Sequence, residues 1–294
     1  MQRLAGEHSI ESLPIAEGRR ALVRQSVIVG GRQPIGAVHE VQVAGLPARF
    51  YEPSGVGEAS ALLVFFHGGG WVYGDLESHD GVCRFLAQRA GVRVIAVDYR
   101  LAPEAPFPAA YDDFVAAYGE IIERAEEWQV DSARVAVGGD SAGANLATLV
   151  AMEAARRGWP CAFQLLVYPS TDMTANAPSR TTFDDGFFLT KGFMDLAQNS
   201  YAPDRTHWTD PRASPLFADV PGSTAPAFVA TAGFDPLRDE GEAYVKRLRD
   251  SGVAVHHVRY PHMIHGFMNV VGVGRTARAA VAETAHALRV GLAA

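Results

Sequence analysis

The run Gly139-Asp140-Ser141-Ala142-Gly143 sets a serine at the centre of a G-x-S-x-G pattern. The strand-like stretch Arg134–Val137 ends just before it and an amphipathic stretch begins near Ala142, the context in which this pattern has a mechanical meaning. On a sharp strand-to-helix turn a serine is held in a strained conformation, with its hydroxyl clear of the sheet's carboxyl edge and free to attack an electrophilic carbon. Gly139 and Gly143 remove the β-carbons that would block the close approach of strand and helix, and the helix that follows aims the positive end of its dipole at any anion formed there. A glycine-rich turn with an ordinary surface serine is the competing reading, since chance supplies such a pattern in roughly one chain in seven of this composition.

A second motif removes most of that ambiguity. His67-Gly68-Gly69-Gly70 ends the apolar run Leu62–Phe66 and arises by chance in only about one chain in a hundred. Consecutive glycines let backbone N–H groups converge, unscreened by side chains, on one anionic oxygen; the N–H of Ala142 would complete such an oxyanion hole. His67 reads as a structural residue of the loop rather than an acid or base. Trp71 and Tyr73 follow the glycines and either line the mouth of a pocket or pack the loop against neighbouring chain.

A nucleophilic serine needs a base and a group to orient that base. The carboxyl ends of the last two strand-like runs, Ala227–Thr231 and Val253–Tyr260, supply Asp235 and His265. The decoys read differently. Asp140 adjoins Ser141 but points away from it, Asp98 precedes the nucleophile and suits an ion pair with Arg100, and Asp239 suits a helix cap. His256 and His257 sit within the last strand, and His262 lies too near its end to reach the serine. A metal site on His262 and His265 lacks the glutamate of H-E-x-x-H and any thiolate, and no G-x-G-x-x-G marks a dinucleotide site. The reading therefore calls for no metal and no cofactor.

These groups must be carried by a scaffold. Val38–Val43 and Leu46–Tyr51 alternate around Ala44-Gly45 as an antiparallel hairpin. Six dense apolar runs follow, Leu62–Phe66, Val92–Val97, Arg134–Val137, Phe163–Val167, Ala227–Thr231 and Val253–Tyr260. Amphipathic stretches lie between most of them, at Leu76–Ala90, Ala110–Trp128, Ala142–Arg157 and Asp239–Ser251, and a last helix is expected over Thr276–Val290 with Gly291 as its stop. Continuous apolar strands alternating with helices imply an α/β fold, a mostly parallel sheet covered on both faces. Two stretches fall outside this rhythm: the residues before about 37, and the long gap between Val167 and Ala227. The gap carries Phe183, Phe187, Phe188, Phe193, Tyr201 and Trp208, which points to a folded lid rather than a disordered insert. Phe183, Phe187 and Phe188 face a bound substrate or form the lid's own core, the commoner fate of apolar clusters.

Composition narrows the function classes. The 294 residues are 48% hydrophobic and 20% charged, a globular interior with a solvated surface. A formal net charge of −7 argues against a binder of nucleic-acid backbones. The longest uninterrupted apolar run, Ala61–Phe66, is far too short for a bilayer span, which takes about 20 residues. Two cysteines, Cys83 and Cys161, cannot form a disulfide scaffold, and no secretory signal pattern is visible in residues 1–15, so a cytoplasmic protein is expected.

With these motifs in view, the sequence resembles the bacterial hormone-sensitive lipase family of carboxylesterases, in its Gly-Asp-Ser-Ala-Gly branch. The likeness runs from about Leu62 to Phe267 and includes His67-Gly68-Gly69-Gly70-Trp71, Asp98-Tyr99-Arg100-Leu101-Ala102-Pro103-Glu104, the stretch Gly138 to Asn145, Asp235-Pro236-Leu237-Arg238-Asp239-Glu240 and His265-Gly266-Phe267. The resemblance implies an α/β-hydrolase fold, whose chain order is Ser, Asp, His, and a small-molecule ester as substrate. It makes Ser141 the nucleophile, His265 the base and Asp235 its orienter, with Ala142 and two of Gly68, Gly69 and Gly70 as oxyanion donors. It also implies a cap of residues 1–37 and 170–212 over a catalytic domain of 38–169 and 213–294. Short- to medium-chain acyl esters are the expected substrates. An amidase or lactonase on the same residues is the nearest alternative, and a non-catalytic receptor, like the plant gibberellin receptors that resemble this family, is the more distant one. A homodimer paired through the strand Val253–Tyr260 is open if that strand lies at the sheet edge.

Overall fold

A computed structural model of the chain describes residues 9–174 and 176–293. Residues 1–8, the first part of the expected cap, lie outside them, as does residue 294 of the expected catalytic domain. Eight strands form one sheet in the order β1-β2-β4-β3-β5-β6-β7-β8. The first two, β1 (Ala37–Val43) and β2 (Leu46–Glu52), pair antiparallel with Val43 opposite Leu46. Their two-residue turn has positive φ at both Ala44 and Gly45, the twist a tight hairpin needs. β2 runs antiparallel to β4 (Arg93–Val97); from there β3 (Ser60–Phe66), β5 (Val130–Asp140), β6 (Phe163–Val167), β7 (Ala227–Phe234) and β8 (Val255–Ile264) are parallel.

The central strands are apolar at every position because both faces are covered, and successive side chains serve opposite cores. Leu62, Val64 and Phe66 of β3 face one cluster, which includes Phe114 and Tyr118 of α3 (Ala109–Glu123), Leu146 of α4 (Ala142–Arg157) and Tyr244 of α7 (Arg238–Asp250). Leu63 and Phe65 face the other, with Phe85 and Leu86 of α2 (Asp80–Ala90) and Val281 and Leu288 of α8 (Thr276–Gly291). Each such fully buried Leu or Phe contributes about 1.5–3 kcal/mol relative to exposure.

Several boundaries differ from the sequence reading for local reasons. α2 starts at Asp80 rather than Leu76, because Asp75 and Ser78 close a turn on themselves: Ser78 N–H donates to Asp75 Oδ1 at 2.7 Å, and Asp75 N–H to Ser78 Oγ at 2.8 Å. α3 ends at Glu123, ahead of a turn in which Gln129 takes positive φ. Gly291, expected to stop the last helix, lies inside it, where a β-carbon would collide with the Phe163 ring.

The two stretches outside the strand–helix rhythm meet over the carboxyl edge of the sheet. The N-terminal one forms α1 (Ile15–Gly30), and the gap after β6 forms α5 (Pro178–Thr182), α6 (Lys191–Tyr201) and short turns. Thr190 Oγ1 donates to Glu11 Oε1 at 2.7 Å, joining the two pieces directly. Arg19 of α1 reaches down to the carbonyls of Val72 and Ala102, at 2.8 and 2.9 Å.

Candidate active site

Ser141 stands between β5 and α4 with φ 56° and ψ −119°, a left-handed conformation that strains a residue bearing a β-carbon. The turn is so tight that a β-carbon on Gly139 or Gly143 would collide with the Phe66 carbonyl. Ser141 is locked there by its N–H, which donates to Val167 O at 2.9 Å. Its hydroxyl lies 3.0 Å from His265 Nε2, and His265 Nδ1 lies 2.8 Å from Asp235 Oδ2. The carboxylate fixes the tautomer: Nδ1–H donates to Asp235, leaving the Nε2 lone pair facing the Ser141 proton. Asp235 follows β7 and His265 follows β8, so parallel neighbouring strands deliver both side chains to one edge. Asp235 is wholly buried, and its second oxygen accepts the Leu237 N–H at 2.8 Å.

The glycine loop leaves β3 beside this line. Gly69 and Gly70 have φ of 121° and 63°, and a β-carbon on Gly70 would meet Ala197 Cβ of α6 at 2.7 Å. Among the described residues, the N–H groups of Gly69, Gly70 and Ala142 make no intramolecular hydrogen bond. Gly68 differs, and of the three glycines from which two donors were expected it is the one already engaged: its N–H is committed to Asp140 Oδ1 at 2.8 Å. Asp140, set aside in the sequence as pointing elsewhere, does turn from Ser141 but lies beneath the loop. It also meets His79 Nε2 at 3.1 Å and accepts from the Tyr168 hydroxyl at 3.3 Å. Burial alone would raise the Asp140 pKa, but His79 and the Gly68 N–H hold it below the ordinary carboxylate value.

His67 is structural. Its Nδ1 contacts Gly68 O at 2.9 Å, its ring stacks on Tyr99 with centroids 4.2 Å apart, and burial with the nearby His79 lowers its pKa to about 4. Asp98 does not pair with Arg100 as expected. Arg100 instead grips Asp113 at 2.6 Å, while Asp98 lies 3.8 Å from His67 Nε2 with its pKa raised to about 6 by burial and by Asp75. His257 is turned to Thr231 Oγ1 at 3.0 Å, His256 lies against Phe228, and His262 is exposed on β8.

Above the serine lies a cavity of about 420 Å³, with Ser141, His265 and Gly68–Gly70 on its floor. Leu22, Ser26 and Val29 of α1 form one wall, and Phe188, Leu189 and Phe193 another. Of the five aromatic residues named in the sequence as pocket candidates, only Phe188 lines it. Trp71 is buried against Tyr201, stacked at 4.5 Å, and Tyr73 packs on Phe193, so both fasten the loop to the segment above it. Phe183 and Phe187 cluster with Phe234 and Arg238 away from the cavity. The sequence reading expected residues 1–37 as part of a cap but named none of the α1 residues that wall the cavity, although the spacing of Leu22, Ser26 and Val29 places them on one helical face. Among the described residues no group of three or more His, Cys, Asp or Glu could hold a metal ion, and no helix is long and apolar enough to cross a membrane.

Comparison with known proteins agrees with this geometry. Residues 63–269 match the model of a family with the alpha/beta hydrolase fold. The chain is 47% identical to the carboxylic ester hydrolase LipN of Mycobacterium tuberculosis, over 83% of its own length and 66% of LipN, so it spans just under two thirds of that relative. It is 38% identical to an ethyl acetate hydrolase of Pseudomonas putida, over 89% of its own length and 85% of that protein. Among solved structures, an α/β-hydrolase enzyme from the metagenome of Lake Arreo superposes with a TM-score of 0.94 at 40% identity, covering 99% of this chain and 94% of that one. An esterase of Pyrobaculum calidifontis gives 0.91 at 36%, covering 95% and 94%. Sheet order, strained serine, glycine loop and relatives all agree, and the chain belongs to the α/β-hydrolase family, among its hormone-sensitive-lipase-like carboxylesterases.

Proposed function

We propose that this carboxylesterase cleaves short- to medium-chain acyl esters through an acyl-enzyme on Ser141, in the cytoplasm. The supporting observation is the unbroken line from Asp235 through His265 to Ser141, at 2.8 and 3.0 Å, beside three backbone donors that have no partner among the described residues. His265 Nε2 takes the hydroxyl proton as Ser141 Oγ attacks the acyl carbon, and Asp235 stabilises the imidazolium that forms. The oxyanion is received by the N–H groups of Gly69, Gly70 and Ala142. Each such donor, once removed, typically costs about 2.7–4 kcal/mol of transition-state stabilisation. The imidazolium returns its proton to the leaving alcohol, and water repeats the sequence to free the acid. The edge strand β8 is the element through which this reading pairs two copies.

Ser141→Ala is expected to reduce turnover of p-nitrophenyl butyrate by several orders of magnitude while thermal unfolding shows an intact fold. Retained turnover would falsify the nucleophile assignment. The apolar walls of the cavity and its volume of about 420 Å³ support chain selection. Across p-nitrophenyl esters from acetate to palmitate, kcat/KM is expected to peak at short to medium chains and fall for palmitate.

A further inference from the structure

Charge and exposed apolar surface coincide on α1 and on the turn before α8, two segments that contribute to the cavity lining. Among the described residues, every lysine and arginine but four makes an ion pair, a hydrogen bond or a cation–π contact. The four are Arg20, Arg24, Arg32 and Arg275, and all are exposed. They share one neighbourhood. Arg20 and Arg24 lie one turn apart on α1, and Arg32 follows its end. The Gly272 N–H donates to Val29 O at 2.8 Å, which brings the turn before α8, with Arg275, against the same helix end. Residues 18–39 and 266–282 contain no Asp or Glu, and the one carboxylate of α1 is Glu17 in its first turn. A local excess of positive charge on a chain of net charge −7 runs against the molecule's own trend.

The apolar observation is separate. Among the described residues six large hydrophobic side chains are exposed, and three of them, Val27 at 52%, Ile28 at 72% and Val273 at 41%, belong to these two stretches. Ile28 and Val273 also line the cavity, so the exposed apolar surface is continuous with its interior. Scattered single exposures are ordinary, but a cluster at a cavity mouth marks a contact surface.

We propose that this mouth docks on an anionic lipid surface, with Val27, Ile28 and Val273 entering the boundary of the acyl layer and the four arginines among the head groups. A helix carrying arginines beside aliphatic side chains satisfies both regions of a bilayer interface at once. A second copy of the chain is a poorer occupant, because a two-fold contact through this face would set arginines against arginines. Docking would aim the cavity at the layer in which apolar esters dissolve; that consequence rests on the esterase reading, whereas docking itself does not.

The test is co-sedimentation of the full chain with phosphatidylcholine vesicles, with and without phosphatidylglycerol. Binding is expected only with phosphatidylglycerol, to be released by added salt, and to weaken at least about tenfold in the double variant Arg24→Glu, Arg275→Glu. Neither arginine lines the cavity, so hydrolysis of dissolved p-nitrophenyl acetate by the variant is expected to match the wild type. If that turnover falls, the variant is misfolded and the salt series on the wild-type protein decides. Absent binding, equal binding to both vesicle types, binding that survives high salt, or a folded variant that binds as well as the wild type would each overturn the proposal. So would a wild-type dimer that the two substitutions dissociate. Ser141→Ala protein is expected to bind vesicles normally, which separates failure of docking from failure of the catalytic reading.

Discussion

Asp140 and Ser141 are chain neighbours that serve opposite sides of one site: the serine faces the cavity, and the carboxylate holds the loop across from it. Removing that carboxylate leaves the Gly68 N–H, the Tyr168 hydroxyl and His79 without their shared partner, and each buried unsatisfied group costs about 1–3 kcal/mol. Asp140→Ala is therefore expected to lower kcat for p-nitrophenyl butyrate about tenfold to a hundredfold with a smaller change in KM, and Asp140→Asn, which keeps one acceptor, by less. Steady-state kinetics on both variants check this, and an unchanged kcat would show that the loop holds its position unaided. At this scale the sequence was legible where chemistry restricts residue type: a serine between glycines, a histidine and an aspartate ending strands. It misled where a side chain's role depends on what folding brings beside it. Nothing in the chain around Asp140 announces Gly68, and Arg100 offered Asp98 a nearby partner yet chose Asp113.

Among the elements, α1 is the one whose role local pattern least revealed. Its apolar face looks like that of any amphipathic helix, and Ile15, Ala21 and Leu22 do pack on the core, yet Leu22, Ser26 and Val29 also wall a cavity. Arg19 ties it down through two carbonyls and a bidentate pair with Glu104. That ion pair is exposed and worth about 0–1 kcal/mol, so the carbonyl bonds carry most of the attachment. Arg19→Ala is expected to raise KM several-fold while leaving kcat nearly unchanged, because the wall loosens and the triad does not move. A fall in kcat at constant KM would place the effect on the oxyanion loop instead. The apolar cores of the central strands, by contrast, were readable, since strands buried on both faces admit apolar runs, and β6 matches to the residue. β5 extends well beyond the expected Arg134–Val137, to Val130–Asp140, because its ends lie outside the apolar run. Helix starts were less readable, and the self-closing Asp75–Ser78 turn shows why: two polar side chains bonded to local backbone outcompete a helical first turn.

For the molecule as a whole, the order of strands was beyond reach of any local signal, because parallel neighbours such as β3 and β5 are joined only through long crossovers. Global stability carries its own pH signature. Folded His67 stays neutral down to about pH 4, whereas the unfolded chain binds that proton near 6.5. Between those values the unfolded state holds more protons, so this stabilisation is complete above about pH 6.5 and is lost as pH falls toward 4, by about 3 kcal/mol. Denaturant melts across that range are expected to show the loss, and His67→Asn is expected to flatten the slope while lowering stability overall.

The groups of the proposed mechanism lie far apart along the chain, from the glycine loop to His265. The cavity wall on α1 leaves the ribosome before Ser141, and the imidazole of His265 follows the serine by 124 residues. A nascent chain thus exposes its serine elbow well before any base exists to activate it. Under the proposed mechanism, hydrolysis can begin only once β8 and the histidine that follows it have been made, and a product truncated before them is expected to be inert rather than a promiscuous fragment.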